Sequence, residues 1–204
     1  MKLYKTLFIL LFIPTILVAN DNKKHEKSKT INKSFSVNKN ATLYVKNKYG
    51  NVQVNTWEEN RIEIKVKITV KGNDLDNVEE KLKAIDILFE ASNSLVEART
   101  KIESTKSKWS WWGSNTTNYK INYYIKMPIT NNADLNNKYG NIELDKLKGK
   151  ANINCDYGNI EIEELLNDNN NINLDYCGGS EINYMSSGDV NIDYSKLKLS
   201  LIHI

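Results

Sequence analysis

Only a few side chains in this sequence are of the kinds that make or break bonds, and their positions limit what they could do. The histidines are His25, in a polar stretch near the start, and His203, next to last. General acid–base or nucleophilic catalysis needs a base held against a partner group, and neither histidine stands in a motif that supplies one. No spacing of His, Cys, Asp or Glu matches a zinc or EF-hand pattern, and no glycine-rich phosphate loop occurs. The acids that recur at a regular interval are Asp156, Asp175 and Asp193. Stacked one above another, they form a column that calcium could bridge, since hard cations prefer oxygen ligands. The plainer reading is a solvated acidic column relieved by nearby lysines. Glycoside cleavage by acids needs a pair facing across the scissile bond, and this spacing builds a ladder instead. The chain is therefore expected to be non-enzymatic and to need no cofactor, with a carbohydrate-active enzyme as an alternative.

The other chemically distinctive cluster is aromatic. Lys108-Trp109-Ser110-Trp111-Trp112-Gly113-Ser114-Asn115 places Trp109, Trp111 and Trp112 within four residues, amid polar and turn-forming neighbours. Exposed tryptophans stack on sugar rings and anchor protein interfaces, so these three are candidate contacts to a glycan or protein partner. The alternative is a lid of one or two indoles over the end of the fold.

The elements that must position these groups are short strands in a repeat. Tyr-Gly-Asn followed by alternating apolar residues occurs as NKYGNVQV from Asn47, NKYGNIEL from Asn137 and CDYGNIEI from Cys155. LDYCGGSEI from Leu174 and IDYSKLKL from Ile192 are degenerate copies. Tyr139, Tyr157, Tyr176 and Tyr194 are separated by 18, 19 and 18 residues, and a fixed period of this size marks a repeat architecture. Aligned on the tyrosines, Leu135, Ile153, Ile172 and Val190 form one column; Asn137, Cys155, Leu174 and Ile192 form a second. Side chains alternate with period two along a strand, which assigns both columns and the tyrosines to one dry face. Tyr49, Tyr139, Tyr157, Tyr176 and Tyr194 are thus expected to be core residues. Asn136, Asn154, Asn173 and Asn191, with Lys138, Asp156, Asp175 and Asp193, take the opposite, polar face. The Gly-Asn pair after each tyrosine suits a tight corner, because glycine tolerates positive φ.

The expected fold is mainly all-β, a solenoid-like stack of two-strand rungs over 131–204. A β-rich part with one short helix precedes it over 34–130. Gly-Asn also fits a hairpin loop, so an antiparallel meander or sandwich remains the alternative. In the front part, Ile62, Ile64, Val66, Ile68 and Val70 alternate on one strand face. Leu75, Val78, Leu82 and Ile85 fall on one face of a helix over 74–85, capped by Asn73 or Asp74. Glu79 and Lys83 stand four apart on that helix. Residues 87–91 and 95–102 read as a hairpin, and 119–127 as a strand closed by Pro128. In the stacked geometry Cys155 and Cys177 lie some 10 Å apart along the strand plus one rung, too far for a disulfide. Two free thiols are expected, Cys155 buried and Cys177 near the surface.

The 204 residues carry 28 Lys and Arg against 25 Asp and Glu, with a mean hydropathy of −0.53. Lys2 and Lys5, an apolar run from Leu7 to Val18, and small Ala19 form a secretory signal over 1–19. The run is shorter than the ~20 apolar residues of a spanning helix. Removing 1–19 takes the 28 basic residues to 26 against 25 acids, a net charge of about +1, so the nominal basic balance gives no sign of a nucleic-acid partner, and none is expected. Lys23, Lys24, Lys27, Lys29 and Lys33 sit in a polar stretch, and 20–33 is expected to be a disordered linker able to touch anionic lipid or polysaccharide. Export to the periplasm, the outer surface or the medium is expected, with no transmembrane segment after cleavage.

These features together resemble a group of uncharacterised bacterial envelope proteins known as adhesin-like or β-strand-repeat domains. The resemblance rests on the signal sequence, the repeated Tyr-Gly-Asn units, the helix between strand blocks and the Trp-Gly-Ser segment before Met127-Pro128, and spans Ile31 to Leu199. It implies a solenoid-like fold, an envelope location and a protein or glycan partner at the cell surface; it supplies no catalytic residues. An envelope-stress or regulatory component acting by protein contacts is the alternative function. Relatives are expected to continue the stack beyond Leu201-Ile202-His203-Ile204, and Ser200 to Ile204 are expected not to be native sequence.

Overall fold

The computed structural model describes residues 25–103 and 117–202. The chain begins with strand β1 (His25–Ser36), followed by β2 (Thr42–Lys48), β3 (Val52–Trp57) and β4 (Arg61–Gly72). Helix α1 (Leu75–Ala84) leads into β5 (Ile85–Ala91), β6 (Leu95–Ile102) and β7 (Asn118–Pro128). The repeats supply β8 (Asn132–Lys138), β9 (Ile142–Leu147), β10 (Ala151–Asp156), β11 (Ile160–Leu165), β12 (Asn170–Asp175), β13 (Ser180–Met185), β14 (Gly188–Asp193) and β15 (Leu197–Ile202). Two sheets result. One has eight strands in the order β1-β4-β7-β3-β9-β11-β13-β15; the other has seven, β14-β12-β10-β8-β2-β6-β5.

Each repeat gives one strand to each sheet, and successive repeats pair in parallel with every column in register. Ile153 lies between Leu135 and Ile172, and Ile172 next to Val190. On the other sheet Ile160 pairs Ile142, and Ile162 pairs both Leu144 and Ile182. The hairpin alternative would lay β10 antiparallel to β11, yet these strands belong to different sheets. The first Tyr-Gly-Asn unit joins the same stack, with β2 beside β8 and β3 beside β9. Antiparallel pairing is confined to β1–β4–β7 and β5–β6. One apolar core runs through both sheets, with Leu43, Leu135, Ile153 and Ile172 on the seven-stranded side and Ile142, Ile160, Ile162 and Ile182 on the eight-stranded side, all at most 1% exposed.

The front part follows its patterning closely. Ile62, Ile64, Val66, Ile68 and Val70 are all buried along β4. Asp74 is the N-cap of α1, where the Asn77 amide donates to its Oδ1 at 2.9 Å, satisfying one of the helix's orphan donors. The expected Glu79–Lys83 pair is replaced by one across elements: Lys27 Nζ lies 3.3 Å from Glu79. That contact exposes a correction. The stretch 20–33, expected as a disordered linker, supplies residues 25–33 to the edge strand His25–Ser36 along β4. Its apolar residues are only Ile31 and Phe35, packed against the core, because α1 covers the inner side of this strand and lysines suffice elsewhere.

A second correction concerns glycine. Gly50, Gly140 and Gly158 are absent from the positive-φ positions. Their requirement is close approach: a Cβ on Gly158 would collide with the Gly140 carbonyl, one on Gly140 with the Gly50 carbonyl, and one on Gly50 with that of Ile121. The corner glycines thus form a column of backbone packed on backbone. Gly178, in the degenerate repeat, has no atom within 4 Å of the same position. Gly158→Ala is therefore expected to lower unfolding stability by about 3 kcal/mol, and Gly178→Ala by less than about 0.5 kcal/mol. Urea unfolding of both variants checks this; equal midpoints would refute the close-packed corner.

Candidate functional site

The tyrosines occupy a different place from the one their spacing suggests. β8, β10 and β12 end at Lys138, Asp156 and Asp175, so each tyrosine is the first residue past its strand. Tyr49, Tyr139, Tyr157, Tyr176 and Tyr194 all have left-handed backbone, with φ of 67, 61, 53, 53 and 47°. The period-two rule stops applying at that residue, and the ring swings out of the dry face to the outside of the corner. Tyr139, Tyr157 and Tyr176 are 41, 45 and 47% exposed and Tyr194 is 82% exposed. The expected core column is a surface ridge.

A left-handed conformation costs a residue with a Cβ roughly 1–2 kcal/mol. The stack returns part of that. Rungs ~4.8 Å apart bring successive rings to centroid separations of 5.2, 5.2, 4.9 and 5.0 Å from Tyr49 to Tyr194, stacked with interplanar angles of 11, 26, 3 and 6°. Tyr119 closes one end, edge-on to Tyr49 at 5.1 Å. Each such pair contributes about 0.5–1.5 kcal/mol. Lys48 lies 4.8 Å from the Tyr49 ring centre, and Lys138 lies 5.4 and 5.3 Å from those of Tyr139 and Tyr157. Lys138 also pairs with Asp156 at 3.4 Å, and that carboxylate holds its ammonium pKa above the ordinary value. Because ring covers ring, the ridge presents phenol edges, hydroxyls and ammonium groups. Ring faces are spent within it, apart from the outer face of Tyr194.

Beneath the ridge, polar atoms line the corner from inside. Asn137 Nδ2 donates to the Gly50 carbonyl at 2.9 Å, and Asn47 Nδ2 to that of Ile121 at 3.0 Å. Cys155 takes the same position one rung on, with its Sγ 3.7 Å from the Gly140 carbonyl. The second column is thus a device for satisfying corner carbonyls, whose burial without a partner would be costly. The corner asparagines form a ladder of their own: the Asn141 amide donates to Asn51 Oδ1, that of Asn159 to Asn141 Oδ1, and that of Gly179 to Asn159 Oδ1, at 3.1, 3.1 and 2.7 Å. On the outer face, Asn154 donates to Asn136, Asn173 to Asn154 and Asn191 to Asn173. The sequence reading placed these residues on turns and a polar face; the ladders follow from the in-register pairing.

Both cysteines are free, and both are buried. Cys177 was expected near the surface. It sits inside its corner because its Sγ donates to the Cys155 carbonyl at 3.2 Å. Asp156, Asp175 and Asp193 do share one register column. Among the described residues, however, no three His, Cys, Asp or Glu side chains converge as ligands for a cation, so the calcium ladder is not formed. The carboxylates follow the strands' outer face and do not converge, and Lys138 neutralises the first of them. His25 is exposed at the start of β1. Trp109, Trp111, Trp112, His203 and residues 1–19, expected as a signal, lie outside the described residues; in sequence the tryptophans fall between β6 and β7. Among the described residues no helix is long and apolar enough to cross a membrane.

No family model and no curated protein matches the sequence. Solved structures do. A putative cell adhesion protein from Clostridium sporogenes is 15% identical with a TM-score of 0.38, covering 78% of this chain and 73% of its own. A putative adhesin from Bacteroides fragilis is 14% identical with a TM-score of 0.38, over 83% and 73%. A putative lipid binding protein from Parabacteroides distasonis is 10% identical with a TM-score of 0.31, over 82% and 75%.

Two predictions follow from this geometry. Tyr157→Ala loses two stacking partners while keeping the left-handed strain, and is expected to cost about 1–3 kcal/mol. Tyr157→Gly loses the same stacking but relieves the strain, so it should be the more stable variant by roughly 1 kcal/mol. Urea midpoints that rank alanine at or above glycine would contradict a strained ladder. The Cys155 thiol is the second case. Burial, then the neighbouring Cys177, pushes its pKa upward from 9.0. The folded state therefore holds a proton that the unfolded chain releases, so this contribution is complete below the unfolded thiol's pKa and is lost as pH rises past about 9. Denaturation midpoints measured from pH 7.5 to 10.5 should fall, and fall less steeply in Cys155→Ala; identical slopes would contradict it.

Proposed function

We propose that this chain is an exported, non-enzymatic protein of the cell envelope, a rigid adhesin-like module that binds a surface partner or serves as a scaffold. The observation that carries the reading is the tyrosine–lysine ridge. Five corners repeat one set of hydroxyls and phenol edges over roughly 20 Å, at the strand spacing of ~4.8 Å, and ammonium groups flank its first three rings. A rigid backbone holds them, so little side-chain freedom is lost when several contacts form together. Contacts that are weak singly then act jointly, which suits attachment to an extended, repetitive partner. Two features support the non-enzymatic part: the recurrent acids form ladders, and Lys138 and Lys146 pair with acids one rung on. The signal pattern over 1–19 supports export.

Fusing residues 1–204 ahead of alkaline phosphatase, which matures only outside the bacterial cytoplasm, tests location. Active phosphatase is expected, and its loss when 1–19 are deleted. Beads coated with the protein should retain bacterial cells, and Lys48→Gln with Lys138→Gln should reduce retention several-fold while circular dichroism shows the fold retained. Phosphatase that stays inactive, or retention that is indifferent to the ridge lysines, would reject the proposal.

A further inference from the structure

A second surface, on the other sheet, has a composition that the ridge does not explain. Ile62 to Val70 on β4 and Ile121, Tyr123, Ile125 and Met127 on β7 point inward and are buried. The intervening residues point out. Antiparallel register sets Lys65 opposite Tyr124, Lys67 opposite Asn122 and Thr69 opposite Lys120. β3 adds Gln53 beside Tyr124 and Asn55 beside Lys126, and β1 adds Asn32 beside Lys65. Asn32, Gln53, Asn55, Lys65, Tyr124 and Lys126 line an open cleft of about 570 Å³; Lys67, Thr69, Lys120 and Asn122 line a hollow of about 250 Å³ next to it, which shares Tyr124.

Charge on this face is uneven. Lys71 is engaged by Glu26 at 2.7 Å, and Glu63 by Arg61 at 3.1 Å. Lys65, Lys67, Lys120 and Lys126 form no ion pair among the described residues. Continuing the register from Gln53 across the sheet gives Glu143, then Glu161, then Glu181. The face therefore passes from a basic, cleft-bearing half on β4 and β7 to an acidic half on β9, β11 and β13. An anion is drawn to the first half and repelled by the second, which confines it.

Tyr124 differs from the ridge tyrosines. It is 41% exposed, and among the described residues no other ring stacks on it. Its face is open to a ligand. An aromatic platform with amides around it suits sugar rings and their hydroxyls; ammonium groups on the same floor require acidic substituents. An open cleft with ammonium groups on its floor does not enclose acyl chains, and one isolated ring does not suit a run of stacked nucleobases. We propose that this half of the eight-stranded sheet binds an anionic polysaccharide, with Tyr124 as the sugar platform and Lys65, Lys67, Lys120 and Lys126 contacting its acid groups. Same-face residues along a strand stand ~6.8 Å apart and neighbours across strands ~5 Å, so several adjacent sugars are engaged at once.

Calorimetric titration of the full chain with polygalacturonate (carboxylate groups) and dextran sulfate (sulfate groups) tests this, with uncharged dextran and oligothymidylate as controls. Binding to at least one acidic polysaccharide is expected, weakening steeply with salt, and none to uncharged dextran. Tyr124→Ala should weaken it about tenfold, and Lys65→Glu/Lys67→Glu/Lys120→Glu should abolish it. Glu143→Gln/Glu161→Gln should leave it unchanged or tighten it. All these residues are exposed or half-exposed, so circular dichroism should show the variants folded. Failure to bind either polysaccharide, affinity indifferent to Tyr124→Ala, or tighter binding to oligothymidylate would overturn the proposal.

Discussion

At the corners of Gly50, Gly140 and Gly158 the backbone of one rung rests directly on the backbone of its neighbour. Gly158 sits on the Gly140 carbonyl and Gly140 on that of Gly50, and much else in the molecule follows from that contact. It lets the rungs keep strand spacing through these turns; one rung on, Cys177 takes the glycine's place and turns its Sγ inward to the Cys155 carbonyl. The glycine contact buries carbonyl groups that still need donors, which accounts for Asn47 and Asn137 in an otherwise apolar column and for a thiol at Cys155. The left-handed turn of the preceding tyrosine is kept at all five corners, those followed by Cys177 and Ser195 included, and with it the outward direction of the ring.

Once register is fixed at the corners, every side chain is placed over its counterpart, and like meets like across the whole surface. Proteins ordinarily avoid that for charges. Here tyrosine and asparagine are repeated and gain from it: tyrosine stacks on tyrosine, and asparagine donates to asparagine in two separate ladders. Where charge is repeated, it is broken at intervals by a change of sign. Lys138 precedes Asp156 in one column, and Lys198 follows Glu181 in another at 2.6 Å.

The excursion between the first and second repeats has different work. β4 and β7 continue the eight-stranded sheet outward as long antiparallel strands, β1 adds its edge, and α1 lies against β1 and β4 with Val78 buried. β6 and β7 also act as a further layer of the stack, pairing in parallel with β2 and β3. This region is covered by a helix and a strand, whereas in the rung of β14 and β15 Ile192 and Tyr194 are exposed. The two ends of the stack thus differ in chemistry: the covered end carries the basic cleft, and the repeats carry the ridge.

Much of this was legible in the residues themselves. Strict alternation in β4, the Asp74 cap of α1, the repeat period and the two free thiols are local or periodic properties, and the structure follows them; of the expected helix face only Val78 is buried within α1, Leu75 being 38% exposed and Ile85 the first residue of β5. The tyrosines were misplaced because side-chain alternation holds only while the backbone stays extended, and a single residue of positive φ ends it; no composition rule marks where. β1 read as a polar tail because an edge strand half covered by a helix needs only Ile31 and Phe35 to anchor it. The charge division of the eight-stranded sheet was hidden for another reason. Lys65, Tyr124, Gln53 and Glu143 become neighbours only through hydrogen-bonded register between strands far apart in sequence. The amino-acid order by itself determined which segments are strands and how often they repeat; the folded chain decided which side each corner residue faces and which distant residues share a surface, because both depend on backbone contacts between rungs.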